Sequence, residues 1–330
     1  MDRADLIDAA CIGLGIALLL FQTVEGEDYL FSSLWAPFLM LALGAIVIFR
    51  SGEIFVESSV SLASRLGISQ TTVGFTLVAI STSLPEILVS PIASHLGSPS
   101  ISVGNVLGAN IADLTLVLGA GLLAGGRILT EDRSTRDVLL FILVAALMIP
   151  FLIDGTFTKF EAAIMFALYA AYWALTTRKG GEVPGEARVS PWLFLPSSLA
   201  IFGSSRVLVS AVRGISFQTG LSQLSLAATL VSLMTTLPEL VTSYLAARKG
   251  YGGLALGNAV GSGIANACLG LTLATLFGPV SWSPRPWMLL LHLLVGLTVL
   301  LLTKLGALNR RAGVALLLLY LGFAVAVYLR

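Results

Sequence analysis

Apolar runs long enough to cross a hydrocarbon core of roughly 30 Å succeed one another along nearly the whole chain, and few folds accept such a pattern. They lie near 6–24, 36–65, 70–96, 100–124, 136–154, 159–177, 191–217, 222–247, 253–277, 284–303 and 311–329, eleven in all. Of the 330 residues, 56% are apolar and 11% charged. A soluble domain carries roughly a quarter charged residues, so the chain reads as an all-α polytopic membrane protein. The first run carries Asp2, Arg3, Asp5 and Asp8 at its flank, and no small-x-small cleavage site follows. It reads as a retained helix rather than a signal peptide. The run 36–65 would reach about 45 Å as a helix, so it is expected to tilt or to lie partly in the interface, and 191–217 is similar.

Lys and Arg set the orientation. With the N-terminus inside, thirteen of the nineteen basic residues fall in inside loops and three outside, and Arg50, Arg206 and Arg213 fall within spans. The C-terminus is then outside. A net charge of +1 with no basic run gives no nucleic-acid partner. Cys11 and Cys268 sit in apolar runs without metal-binding spacing, and His95 and His292 read as structural. No HExxH, GxSxG or nucleophile–base pairing appears, so an enzyme finds no support and no cofactor is implied.

The chain contains an internal repeat. Residues 76–113 align without a gap on 229–266, an offset of 153, and 15 of 38 positions are identical. The shared residues include Thr82/Thr235, Leu84/Leu237, Pro85/Pro238, Glu86/Glu239, Gly104/Gly257, Asn105/Asn258 and Gly108/Gly261. Five spans separate the copies, so they face opposite ways, which is the inverted-repeat design of secondary transporters. The expected architecture is two inverted five-helix repeats, a ten-helix core, plus one extra helix. Residues 1–30 would hold that helix and an outside loop, 31–177 repeat 1, 178–190 a cytoplasmic linker and 191–330 repeat 2.

A carboxylate at mid-membrane is costly and persists where it meets a cation, a proton or a partner. Glu86 and Glu239 stand there, each directly after a proline. The proline removes a backbone donor and frees carbonyls of the preceding turn, near Ala79, Thr82, Ser232 and Thr235. Thr82 and Ser83 precede Glu86 by four and three residues, as Thr235 and Thr236 precede Glu239, so helical spacing puts these hydroxyls on the acid's face. Hard oxygen shells of this kind suit Ca2+ or Na+. The next helix of each copy adds a polar stripe: Asn105, Ala109 and Asp113, and Asn258, Ser262 and Asn266. Gly104/Gly108 and Gly257/Gly261 have the spacing of close helix approach. Asp113 reads either as a third central acid or as a neutral group bonded to Asn266. Glu53 and Arg206, equivalent at the same offset, either pair or reach the interface; Asn110 reads as a helix–helix hydrogen bond.

The segments TSLPE at 82–86, TTLPE at 235–239, GNVLGANIAD at 104–113 and GNAVGSGIAN at 257–266 resemble the paired alpha repeats of the cation/calcium exchanger superfamily, most of all its prokaryotic sodium/calcium exchangers. The resemblance covers spans 2 to 11. It implies four central cation sites, with Glu86 and Glu239 bridging calcium beside the carbonyls of Thr82 and Thr235. One peripheral sodium site would use the Ala79 carbonyl, Ser83 and Ser262; the other would use the Ser232 carbonyl, Thr236 and the position of Ala109. It also implies that the long helices 36–65 and 191–217 slide as a pair. Two departures from the family pattern stand out: Asp113 and Asn266 exchange the usual Asn and Asp, and Ala109 stands where a serine is common. The resemblance favours Na+/Ca2+ antiport by alternating access in a prokaryotic plasma membrane. An H+/Ca2+ or other divalent antiporter is the alternative, and a cation channel is a third reading, disfavoured by the inverted repeat. Oligomeric state is not legible.

Overall fold

The structure is a computed structural model and describes residues 3–25, 33, 35–65, 83–128, 132–177, 190–250 and 252–329. It is mostly helical. In chain order the helices are α1 (Arg3–Glu25), α2 (Ala36–Arg65), α3 (Leu84–His95), α4 (Pro99–Gly125), α5 (Asp132–Leu152), α6 (Lys159–Thr177), α7 (Phe194–Thr219), α8 (Gln223–Thr235), α9 (Leu237–Arg248), α10 (Gly252–Phe277), α11 (Pro286–Lys304) and α12 (Arg310–Ala326). Local sequence sets several helix starts. Proline occupies one of the first two positions of α3, α4, α9 and α11, where its missing N–H costs nothing. Asn309 caps α12, accepting from the N–H groups of Arg311 at 2.9 Å and Ala312 at 3.2 Å. Thr158 and Glu161 form a reciprocal capping box at α6.

By length and composition, six described helices can cross a membrane: the Ala36–Phe55 part of α2, α4, the Thr135–Leu152 part of α5, α7, α10 and α11. The pair α8–α9, bent by 47°, would make a seventh. The other expected runs also fall on helices that are shorter or less apolar, except that 70–82 lies outside the described residues. The overlong run 36–65 is one continuous helix whose apolar part ends at Phe55.

The offset of 153 reappears in the element boundaries. Leu84–His95 and Leu237–Arg248 each span 12 residues, and Pro99–Ala112 and Gly252–Ala265 each span 14. Each of the latter runs into a five-residue π-turn, Asp113–Val117 and Asn266–Gly270. A further π-turn, Ala227–Val231, lies in α8.

α2 and α7 pack along each other, α1 lies against both, and the two long helices share a buried cluster with α3 and α8 through Leu41, Val89, Leu208 and Val231. A Cβ on Gly15 would stand 2.7 Å from Cβ of Ala200, so α1 and α7 touch nearly backbone to backbone. The remaining helices form the larger apolar core, from Val103 and Phe141 to Phe323. Loops tie this larger body at both ends. At one end β1 (Thr156–Phe157) pairs antiparallel with β2 (Val280–Ser281). Gly155, at φ +85°, lets its backbone approach there: its O accepts from Trp282 N–H at 2.9 Å, and a Cβ would lie 2.8 Å from Trp282 O. At that end Arg285 also donates to Val327 O at 2.7 Å and Ser225 Oγ at 3.0 Å. At the other end Ile128 N–H donates to Leu308 O at 2.9 Å, and Arg127 bridges Asn309.

The first glycine pair makes the close approach its spacing suggests. A Cβ on Gly108 would lie 2.3 Å from Ala228 O, and one on Gly104 2.6 Å from Leu224 O, so α4 rests directly on the backbone of α8. The second pair differs: Gly257 meets nothing within 4 Å among the described residues, and Gly261 meets only the Tyr172 hydroxyl at 3.5 Å. The segment equivalent to Leu224–Ala228 in the first copy falls within 66–82, outside the described residues. Gly108→Ala should therefore destabilise the protein, because the opposing atom is backbone and cannot swing aside. The expected cost is about 1–3 kcal/mol, seen as a lower thermal unfolding midpoint in detergent. An unchanged midpoint would show that the two helices separate freely.

Candidate cation site

The two acids sit at helix starts rather than in helix interiors. α3 begins at Leu84, with Ser83 as its N-cap residue, and α9 begins at Leu237, with Thr236 as its N-cap. The proline at the next position fixes each break. At the α8–α9 break the Ser232 carbonyl accepts from Thr236 N–H at 2.9 Å and from the Thr235 hydroxyl at 3.3 Å. The carbonyl that Pro238 deprives of a donor is four residues back, at Met234. Ser232 O, expected to be freed, is thus already engaged; the expectation treated the whole turn as open.

Side chains cross between the two copies. Ser83 Oγ donates to Glu239 Oε1 at 3.3 Å, and the equivalent Thr236 Oγ1 donates to Glu86 Oε1 at 3.2 Å. This corrects the expectation that each hydroxyl serves the acid of its own helix. That expectation assumed that one helix runs through both residues; instead Ser83 and Thr236 stand as N-cap residues at helix starts, and their hydroxyls reach the other copy. Ser262 Oγ adds a longer contact to Glu239 Oε1 at 3.5 Å. Its counterpart Ala109 is fully buried and brings no oxygen. The Thr235 hydroxyl donates to Val231 O at 3.1 Å and reaches Asn105 Oδ1 at 3.5 Å.

Asn105 and Asn258 hold the acid-bearing helices. Asn105 Nδ2 donates to Glu86 O at 3.1 Å and to Ser90 Oγ at 3.5 Å. Asn258 Nδ2 donates to Glu239 O at 3.4 Å and to Ser243 Oγ at 2.9 Å. Their place on the polar stripe was legible, but their grip on the backbone of the glutamates was not. At the seam between α4 and α10, Asn266 Nδ2 donates to Asp113 Oδ2 at 3.4 Å.

Glu86, Glu239, Asp113, Asn266, Ser83, Thr235, Thr236, Ser262 and Ser232 are all buried. Thr82 and Ala79 lie outside the described residues. Glu86 Oε2, Asp113 Oδ1 and Asn266 Oδ1 have no hydrogen-bond partner among the described residues. Such buried acceptors cost about 1–3 kcal/mol each unless a cation, a proton or water meets them. Among the described residues no three Asp, Glu, His or Cys side chains gather at one point. The acids are instead interleaved with hydroxyls and amides, an arrangement suited to hard cations. Glu53 and Arg206 do not pair: Glu53 bonds Arg50 at 2.5 Å on its own helix, and Arg50 reaches Asp8 of α1 at 2.6 Å.

Residues 36–178 and 189–329 match the family described as "Sodium/calcium exchanger protein". The chain belongs to that family. This family member is therefore a membrane-spanning protein of a transporter family. It is 31% identical over 313 residues to the "Putative antiporter CaxA" of Alkalimonas amylolytica, covering 88% of this chain and 98% of that protein. It is 27% identical over 343 residues to the "Sodium/calcium exchanger MaX1" of Methanosarcina acetivorans, with the same coverage, 88% and 98%. Among solved structures, the sodium-calcium exchanger NCX_Mj soaked with 2.5 mM Na+ and 0.1 mM Ca2+ superposes with a TM-score of 0.64 at 28% identity. The match covers 90% of this family member and 100% of that chain.

Proposed function

We propose that the chain exchanges Ca2+ for Na+ across a prokaryotic plasma membrane by alternating access. The observation that carries the reading is the reciprocal pairing of Ser83 with Glu239 and Thr236 with Glu86, at 3.3 Å and 3.2 Å, between copies of one motif. On this reading the copies are inverted five-helix repeats, 31–177 and 191–330, joined by a cytoplasmic linker, with α1 added in front. Among the described residues, the loop contacts Trp282–Gly155 and Ile128–Leu308 each join loops expected on one side, which suits alternating spans with the N-terminus inside and the C-terminus outside. Glu86 and Glu239 share the calcium ion. Ser83, Ser262, Thr236, the carbonyls of Ala79, Thr82 and Thr235, and the Asp113–Asn266 pair complete the cation shells. The pair α2 and α7 shifts against the larger body to open the site to one side and then the other.

A second reading is H+/Ca2+ antiport, and a specific observation favours it: Ala109 leaves the Glu86 side one hydroxyl short of the Glu239 side, where Ser262 stands 3.5 Å from the carboxylate. Na+-gradient-driven uptake of radiolabelled Ca2+ into proteoliposomes, at fixed pH with a protonophore present, separates the two. Uptake that follows the Na+ gradient supports the first; uptake that appears only under a pH gradient, with the protonophore removed, overturns it for the second. Ala109→Ser should then lower the half-saturating Na+ concentration by about two- to fivefold, the worth of one added hydrogen-bonding group. No change would mean that the missing hydroxyl is not part of a sodium shell.

A further inference from the structure

One helical turn before Asp113 on the same seam, the two copies differ. The equivalent positions there are Asn110 in α4 and Gly263 in α10. A Cβ on Gly263 would lie 2.5 Å from Phe141 Cε2 and 3.7 Å from Asn110 Cγ. Glycine at this point admits the Phe141 ring of α5, which Gly296 of α11 flanks from the other side, with Cβ-to-ring distances of 3.0 Å. The clamped ring stands edge-on to His292 of α11, centroids 5.0 Å apart at 85°. His292 Nε2 in turn lies 3.2 Å from Asn110 Nδ2. Asn110, Phe141 and His292 are all fully buried. Neither Asn110 Oδ1 nor His292 Nδ1 has a hydrogen-bond partner among the described residues.

We infer that His292, acting through Asn110, is a positioning residue for Asp113. Residues three apart share a helix face, so Asn110 and Asp113 face the same way. A π-turn begins at Asp113, and there the regular helical register that would aim the side chain is lost. The turn just before it is held from outside, by a histidine whose ring α5 and α11 lock in place. A buried polar tie of this kind specifies geometry because leaving it half made is costly. A plain helix–helix tie would have no reason to favour one copy. This tie is present on the copy that supplies the acid, and glycine replaces it on the copy that supplies only Asn266.

The inference rests on the exchanger reading, and the test keeps the two apart. The full chain in proteoliposomes is assayed for Ca2+ transport as Na+ is varied, for wild type, His292→Leu, His292→Gln, Asp113→Asn and the double variant His292→Leu/Asp113→Asn. His292→Leu should raise the half-saturating Na+ concentration about fivefold while the KM for Ca2+ stays within about twofold. His292→Gln, which can still meet Asn110, should restore the wild-type value. In the Asp113→Asn background, His292→Leu should add nothing. Equal shifts in both backgrounds would overturn the inference, as would a lower unfolding midpoint with Na+ dependence unchanged. Should the leucine variant not fold, Asn110→Gly, which copies the other half, replaces it in the same cycle. A wild type that moves no Ca2+, or moves it without Na+ dependence, would overturn the Na+/Ca2+ reading and this inference with it, whereas a Na+-dependent wild type with additive variants overturns the inference alone.

Discussion

Glu86→Gln and Glu239→Gln should each abolish Ca2+ transport while leaving a folded protein. Glutamine keeps the volume of glutamate, and its carbonyl oxygen can still accept from Thr236 or Ser83, which stand 3.2 Å and 3.3 Å from the two acids. What disappears is one negative charge in a site shielded from water, where a doubly charged ion has few other anions to balance it. Breaking a buried charge pair from one side costs about 3–5 kcal/mol, so transport should fall by roughly a hundredfold or more. The measurement is Ca2+ uptake by purified variants matched for unfolding midpoint and reconstituted amount. Wild-type flux in either variant would remove the glutamates from the ion path.

Asp113→Asn should act differently. Na+-driven uptake should fall about tenfold while the KM for Ca2+ changes little, since coupling between ion sites is typically worth 1–3 kcal/mol. The stronger result is the exchange. Asn266 Nδ2 lies 3.4 Å from Asp113 Oδ2, so Asp113→Asn/Asn266→Asp moves the charge only across the seam. The double variant should recover most of the lost coupling. A collapse of Ca2+ affinity in the single variant would make Asp113 a direct calcium ligand, and failure of the double variant to recover would show that the acid is read from one copy only.

The fold was legible where a pattern repeats and obscure where the chain breaks. An ungapped offset of 153 is carried straight into helices of matching length; the shared Pro85 and Pro238 start the first pair, and the shared Gly97 and Gly250, at φ +72° and +88°, follow its ends. The acids could be picked out because a carboxylate inside an apolar run has few reasons to exist. Their partners could not. Helical spacing assigns Ser83 to Glu86, yet as the N-cap residue before Leu84 its hydroxyl meets Glu239, 156 residues away. The π-turns at Asp113 and Asn266 have no composition that marks them. His292 stood alone in sequence, and its contact with Asn110 spans 182 residues, so no local reading could join them. The second glycine pair is left without its counterpart, because the segment equivalent to the one Gly104 and Gly108 rest on falls within 66–82, outside the described residues.

The crossing of hydroxyls between the copies bears on how such a chain could have arisen. Each acid takes one hydroxyl from the other half, Ser83 for Glu239 and Thr236 for Glu86, so neither half forms the full constellation by itself. On the proposed inverted-repeat reading, a half-length ancestor would have needed a second copy of itself lying upside down in the same bilayer. Fusion into one polypeptide then fixes that antiparallel partnership and frees each half to diverge, and the aspartate on one side, the asparagine on the other, and the lone Asn110 opposite Gly263 are the marks of that freedom.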